Sequence, residues 1–467
     1  MLVFKEIMNR LLLGWVGALG LYLTTHLLFF GTSPGLHYDE AWAANFSLKI
    51  AQIPGFWPIQ AMSPQTHAWH HYLVAGVFRV FGASVETFRL THIFMGLGGV
   101  VLLGKALARR LTNPALAPAL VFLAGIQPSL VTNHRFAIEL TSFHALCFGG
   151  MVFFALHPKK WAPFVAALIA AIGVSSHVFF IAPALALVLT TWFMPSAPSL
   201  RSRLAISLGI ALCLPGILEL QETLPEKDKA QALLFLVSFA FAATWAIAAL
   251  PFWHRIRSLS AFLIRVLSVF TLPLLFFLIE GNWGILAHSG TLRFSALAGV
   301  GLIPILLAFK VYRKAPSELV LFWCCLALLT VAVAPKPTGR YWETLFLSTL
   351  VIFTGAWLSS SWKARVLVGF WPVILVMNLL IPASQGHFID REYRFLLFHD
   401  RSTDFLPKQE ATRVLLKDGC RFEQILGSDD RVKESLQFIL SPNASSTSCQ
   451  GRSFRATKEL NGLRIQE

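Results

Sequence analysis

Charge is scarce in this chain. Only 13% of its 467 residues are Asp, Glu, Lys or Arg, against about 25% in an ordinary soluble protein. That shortfall excludes a water-soluble globule of normal composition. Cysteine is scarce too, with six residues, and neither a Cys-x-x-Cys pair nor a His/Cys zinc spacing occurs, which excludes a structural zinc module. No P-loop is present and no Gly-rich phosphate-binding loop follows a strand, so the pyrophosphate of a nucleotide-sugar is not expected as a ligand. No basic run interleaves with aromatic residues, so the formal charge of +15 does not point to nucleic acid.

What is present is apolar matter in long runs. Hydrophobic residues make up 55% of the chain, including 40 Phe and 14 Trp, and the mean hydropathy is +0.63. Each run is about 20 residues long, the length a helix needs to cross about 30 Å of hydrocarbon. The runs predict an all-α polytopic membrane protein. They number about thirteen, near residues 11–30, 87–107, 115–132, 139–156, 161–176, 178–194, 204–220, 231–252, 261–280, 294–309, 318–334, 343–360 and 366–382. The first, Leu11 to Phe30, is too long for a signal-peptide core and is not followed by a small-x-small cleavage site, so it reads as a spanning helix.

Lys5, Arg10, Lys105, Arg109, Arg110, Lys159 and Lys160, with similar bases further on, fall on connections at one side of the membrane, almost without acids. The positive-inside rule makes that side cytosolic, and the N-terminus with it. The positive excess is therefore a topology signal. Residues 1–382 form the predicted transmembrane domain, in which 31–86 is a first outer loop with an interfacial helix near His71–Phe81. Residues 383–467 have balanced charge and predict a small extracytoplasmic α/β domain. Its Cys420 and Cys449 are expected to pair in an oxidising compartment. Cys147, Cys213, Cys324 and Cys325 fall inside apolar runs, where Cys acts as a small hydrophobe.

Four polar clusters interrupt this pattern, all at the outer ends of predicted spans. They are His37-Tyr38-Asp39-Glu40, Asn133-His134-Arg135 with Glu139, His177, and Lys336-Pro-Thr-Gly-Arg340-Tyr341-Trp342-Glu343. Arg135 and Glu139 are four apart and on a helix would share a face. Each cluster alone has a plain structural reading: a solvated pair, a helix-end ion pair, a connecting histidine, a snorkelling cation–aromatic belt. Acids and cations gathered at one membrane face fit better with a site for an anionic, membrane-held substrate. His37, Asp39 and Glu40 admit a divalent metal, but the ligand set is incomplete and no metal or other cofactor is expected to be obligatory.

The order of these pieces is more specific than any one of them. A first span is followed by Asp39-Glu40, then Pro64-x4-Trp69, then Phe81-Gly82-x6-Arg89-Leu90, then Arg135-x3-Glu139, and late in the chain Arg340-Tyr341. This order resembles the dolichyl-phosphate-mannose–protein mannosyltransferase superfamily, and within it the bacterial branch that includes the aminoarabinose–lipid A transferases. The match is best over about residues 1–195 and weaker over 330–360. The resemblance implies a GT-C fold in a bacterial inner membrane. It also implies inverting transfer of a sugar from a polyprenyl-phosphate donor to an envelope lipid, glycan or protein. It places the loop carboxylate at Asp39 and the second acidic position at Glu139. Bacterial members often read Lys-Pro-Pro where this chain has Ser63-Pro64-Gln65. The donor-phosphate contacts then fall to His67, His70 or His71, or to Arg135 and Arg340, with Tyr341, His134 and His177 as further contacts.

Chemically, a carboxylate can take the proton of an acceptor hydroxyl, the role expected of Asp39. Glu40 would orient Asp39 or contact sugar hydroxyls. Arginine grips a leaving phosphate bidentately, and Glu139 would position the acceptor or the sugar, or hold Arg135. The alternative reading is a transporter or flippase of lipid-linked or anionic substrates. That class places ionisable groups at the membrane midplane, often with internal repeats, and no repeat is found.

Overall fold

The computed structural model describes residues 2–28, 30, 36–58, 61, 66–193, 326, 343–358, 405–406, 455–459 and 462–466. The spans predicted over 204–309 and 366–382, most of 318–334, and most of 383–467 lie outside these residues.

Helix α1 (Leu2–Leu27) is followed by the two-residue strand β1 (Leu36–His37), which leads directly into α2 (Tyr38–Gln52). Helix α3 (Trp69–Phe81) ends the connection between α1 and α4. Helix α4 (Val85–Arg110) is, by length and composition, able to cross a membrane. It is capped by Ser84, whose hydroxyl accepts the Thr87 amide at 3.0 Å. α4 packs against α5 (Leu116–Ile126) and α7 (His144–Ala155), and α7 against α8 (Ala162–Ser176). Helices α9 (Ile181–Phe193) and α10 (Glu343–Leu358) complete the described helical body.

The expected interfacial segment is α3. His70, His71, Val74 and Phe78 are buried, while Trp69, Leu73, Val80 and Phe81 are exposed. Apolar side chains on both faces suit a helix resting at the lipid boundary. Helix α2 lies in the same connection, within the stretch 31–86 where interfacial helices are expected.

One predicted span is interrupted and one predicted division is kept. The run over 115–132 is two helices, α5 and the eight-residue α6 (Pro128–Arg135). Proline disfavours the helical region for the residue before it, and Gln127 is extended, with ψ 113°. Pro128 then opens α6 at a position where its missing N–H costs nothing. The runs over 161–176 and 178–194 are separate helices, divided at His177 (φ −161°, ψ 134°) and a short 3-10 turn at Val178–Phe180.

Backbones touch where α4 crosses α7. A Cβ added at Gly99 would land on the Ala145 carbonyl, and one at Gly149 on the Gly99 carbonyl. Small residues at such crossings are how membrane helices approach closely. Gly99→Ala is expected to lower the unfolding temperature of the purified protein more than Gly76→Ala, because Gly76 has open space around its Cβ position. Overpacking costs about 1–3 kcal/mol, and here the obstacle is backbone that cannot rotate away.

The described part of the tail is strand. β2 (Phe405–Leu406) pairs antiparallel with β1, joining Leu36 to Leu406 and His37 to Phe405. β3 (Arg455–Glu459) pairs antiparallel with β4 (Gly462–Gln466). The β1–β2 pairing sets a tail segment beside the entry to α2, one residue before Tyr38 and Asp39.

Candidate active site

The site is built around the first turn of α2, which carries Asp39 and Glu40. A helix N-terminus favours carboxylates there. Glu40 is fully buried. Its Oε1 accepts from Arg89 Nε at 2.9 Å and its Oε2 from Arg89 Nη2 at 2.8 Å. Oε1 also accepts the backbone N–H of Ala137 at 3.0 Å. Arg89, on α4 and itself buried, donates Nη1 to the Phe30 carbonyl at 2.8 Å. One bidentate pair therefore ties together the end of α1, the start of α2, α4 and the segment after α6. Both Glu40 oxygens are occupied by protein donors. Asp39, its neighbour, is half-buried in the same turn.

The expected helical face shared by Arg135 and Glu139 does not exist. α6 ends at Arg135, Ile138 is extended (φ −134°, ψ 162°), and Glu139 opens a π-helical turn, Glu139–Phe143. The reason lies in where the backbone bonds go. The Ala137 amide is taken by Glu40. The Thr141 hydroxyl lies 2.8 Å from the Phe136 carbonyl and 2.9 Å from that of Ile138. These long-range and side-chain bonds replace the helical ladder. π-turns are often found at functional sites, and here one carries a half-buried carboxylate.

Arg135 is 3% exposed. Its Nη2 donates to the Leu28 carbonyl at 2.8 Å, and its buried Nε has no hydrogen-bond partner among the described residues. Arginine stays protonated in proteins, so it is a buried cation. Arg89 has Glu40 beside it. A buried cation with unused donors calls for an anion.

His134 sits one residue earlier, inside a second buried network. Its Nε2 is 2.8 Å from Glu343 Oε1, and Asn133 Nδ2 donates to Glu343 Oε2 at 2.8 Å. Its Nδ1 is 2.6 Å from the Tyr22 hydroxyl. His26 stacks on Tyr22 at 3.7 Å. His134 is thus buried and engaged by protein partners at both ring nitrogens. Arg340 and Tyr341 lie outside the described residues, three and two positions before Glu343.

His67 and His177 are brought close along the chain, since the His67 amide donates to the Ser175 carbonyl at 3.0 Å. The His177 ring accepts the Phe179 amide at 3.3 Å and lies 6.3 Å from the His144 ring. Behind them His70 and His92 meet Nε2 to Nε2 at 2.8 Å. The His71 ring nitrogen is 2.9 Å from the Ser47 hydroxyl, with its pKa pushed down to about 3 by burial. No group of three or more His, Cys, Asp or Glu side chains among the described residues is arranged to hold a metal. Cys420 and Cys449 lie outside the described residues.

Sequence reasoning missed Tyr22, His26, His92 and His144, and did not give Arg89 or Glu343 its role. A signal was present: His26, Arg89 and His92 are ionisable side chains inside apolar runs, and such residues are functional or paired by default.

This arrangement of broken helices and buried ion pairs is a fold seen in solved structures. Two solved structures of ArnT from Cupriavidus metallidurans share it. The apo structure matches with a TM-score of 0.51 and the one bound to undecaprenyl phosphate with 0.50. Each is 16% identical to this chain, and each match covers 93% of this chain and 85% of ArnT. No protein-family model matches the sequence, and no curated protein matches it.

Proposed function

We propose that this protein is an inverting glycosyltransferase that moves a sugar from a polyprenyl-phosphate donor to an envelope lipid, glycan or protein acceptor at the outer face of the membrane. The observation that carries this reading is the placing of Asp39 beside the Glu40–Arg89 clasp, which also holds the chain two residues after Arg135, a buried guanidinium with donors to spare. The ArnT structure of the same fold that contains undecaprenyl phosphate supports a lipid-phosphate donor.

In the proposed reaction the acceptor oxygen forms a bond to the anomeric carbon while the bond from that carbon to the phosphate oxygen breaks. Asp39 takes the acceptor proton. The polyprenyl phosphate leaves with its charge held by Arg135, joined by Arg340 and Tyr341. Such preorganised donors act most strongly where water is excluded. Glu139 positions the sugar or the acceptor, with His67 and His177 at the rim. The β1–β2 pairing supports placing residues 405–406 on the same membrane face as the first outer loop, and the basic connections support that face being extracytoplasmic.

The donor site is tested by the affinity of the purified protein for undecaprenyl phosphate. Losing hydrogen bonds to a charged group costs about 1.5–3 kcal/mol, so Arg135→Ala is expected to weaken binding about 10- to 100-fold. Arg135→Lys should restore only part of this, because an ammonium lacks the planar fork. Wild-type affinity in Arg135→Ala would remove the donor site from this position.

A further inference from the structure

We infer that Glu343 is a positioning residue for the donor-phosphate guanidinium: from the first turn of α10 it fixes the last turn of α6, and with it Arg135. The inference rests on the function proposed above.

α6 has eight residues, and helices shorter than about 12–15 residues are marginal on their own bonds. It is flanked by extended backbone at Gln127 and at Ile138. Its last turn is therefore held from outside. Each Glu343 oxygen engages one of two consecutive residues, Asn133 and His134, at 2.8 Å. With a carboxylate on Nε2, His134 donates there and accepts the Tyr22 hydroxyl at Nδ1. The other side of the imidazole lies against Gly96, where any Cβ would overlap the ring. Residues 133 and 134 are thus gripped by α1, α4 and α10 together.

Arg135 follows directly. Its one hydrogen bond among the described residues, Nη2 to the Leu28 carbonyl, leaves the guanidinium's direction to depend on the backbone that carries it. Glu343 is 1% exposed and Tyr22 and His134 are 0% exposed, and both carboxylate oxygens are engaged. Glu343 therefore acts through α6 and does not present an oxygen to the substrate. Its contact to Asn133 spans 210 positions of sequence, so no local feature of α6 can replace it.

The test is undecaprenyl phosphate affinity of the full-length protein in lipid nanodiscs, with unfolding temperature measured on the same samples. Glu343→Gln keeps an oxygen for Asn133 and offers an amide N–H to the other His134 tautomer, so its Kd is expected within about threefold of wild type. Glu343→Leu is expected to weaken Kd about tenfold or more. Combined with Arg135→Ala it should add little, as expected for residues acting on one contact. Tyr22→Phe removes the second partner of His134, together with a long contact to the Ile93 carbonyl, and should weaken Kd by a few-fold with a smaller drop in unfolding temperature than Glu343→Leu. This variant decides the question if Glu343→Leu does not fold.

Unchanged Kd in Glu343→Leu and Tyr22→Phe, with or without a lower unfolding temperature, overturns the inference and leaves a purely structural network. A Glu343→Gln variant as weak as Glu343→Leu overturns it as well, since charge rather than position would then be what Glu343 supplies. If Arg135→Ala binds like wild type, the donor site proposed above has failed, and the positioning role falls with it. Loss in Arg135→Ala without loss in the Glu343 and Tyr22 variants isolates failure of the positioning role alone.

Discussion

Asp39→Asn is expected to lower the rate of sugar transfer by about 10²–10⁴, the usual contribution of a general base, while leaving protein yield and donor binding near wild type. The separation follows from the structure. Asp39 is in the first turn of α2 and half-buried, whereas the adjacent Glu40 carries the clasp to Arg89 and Ala137. Asparagine keeps the size of aspartate and serves helix starts about as well. The lost attraction to the helix N-terminus is worth only about 0.3–1 kcal/mol. An amide, however, cannot take a proton from the acceptor hydroxyl. The measurement is transfer from a polyprenyl-phosphate sugar by the purified variant. Mass spectrometry of envelope glycolipids and glycoproteins should accompany it, where the donor should accumulate and one sugar should be missing. Full transfer by Asp39→Asn would rule out this residue as the base.

The second large effect concerns stability. Glu40→Ala leaves Arg89 buried without its carboxylate, and breaking a buried ion pair on one side costs about 3–5 kcal/mol. Here the bidentate pair also accepts the Ala137 amide and donates to Phe30, so the loss should fall at the upper end. Arg89→Met alone should be similarly harmful, because the buried carboxylate would then lack its cation. Glu40→Met combined with Arg89→Met removes both charges and should recover much of the stability, as replacements of buried pairs by apolar residues commonly do. Transfer should not recover with it, because the clasp also joins α2 to the turn after Arg135. Thermal unfolding of the three variants forms a double-mutant cycle. Additive effects would mean that the pair is not coupled.

Much of this protein is legible along the chain. Hydrophobic run length alone yields a many-helix membrane protein, since a bilayer demands about 20 apolar residues per crossing whatever the tertiary packing. α4 and the division between α8 and α9 follow from that rule. The polar clusters around Asp39 and Arg135 are also readable, because charge beside a span needs a reason. Pro128 marks the break between α5 and α6 as local sterics require, although run length alone hid it.

Partnership was decided only in three dimensions. Glu40 and Arg89 are 49 positions apart and Asn133 and Glu343 are 210 apart, and nothing in local pattern distinguishes Glu40, the enclosed clasp, from Asp39, the half-buried acid next to it. The turn after Arg135 looks helical in sequence, yet its amide is claimed by a carboxylate from another element. A buried polar atom must find a partner wherever the fold brings one, and that condition is set by packing, not by neighbours in the chain. The chain composition therefore determined apolar spans with polar clusters at their ends, and the packed structure decided which of those polar groups pair with one another.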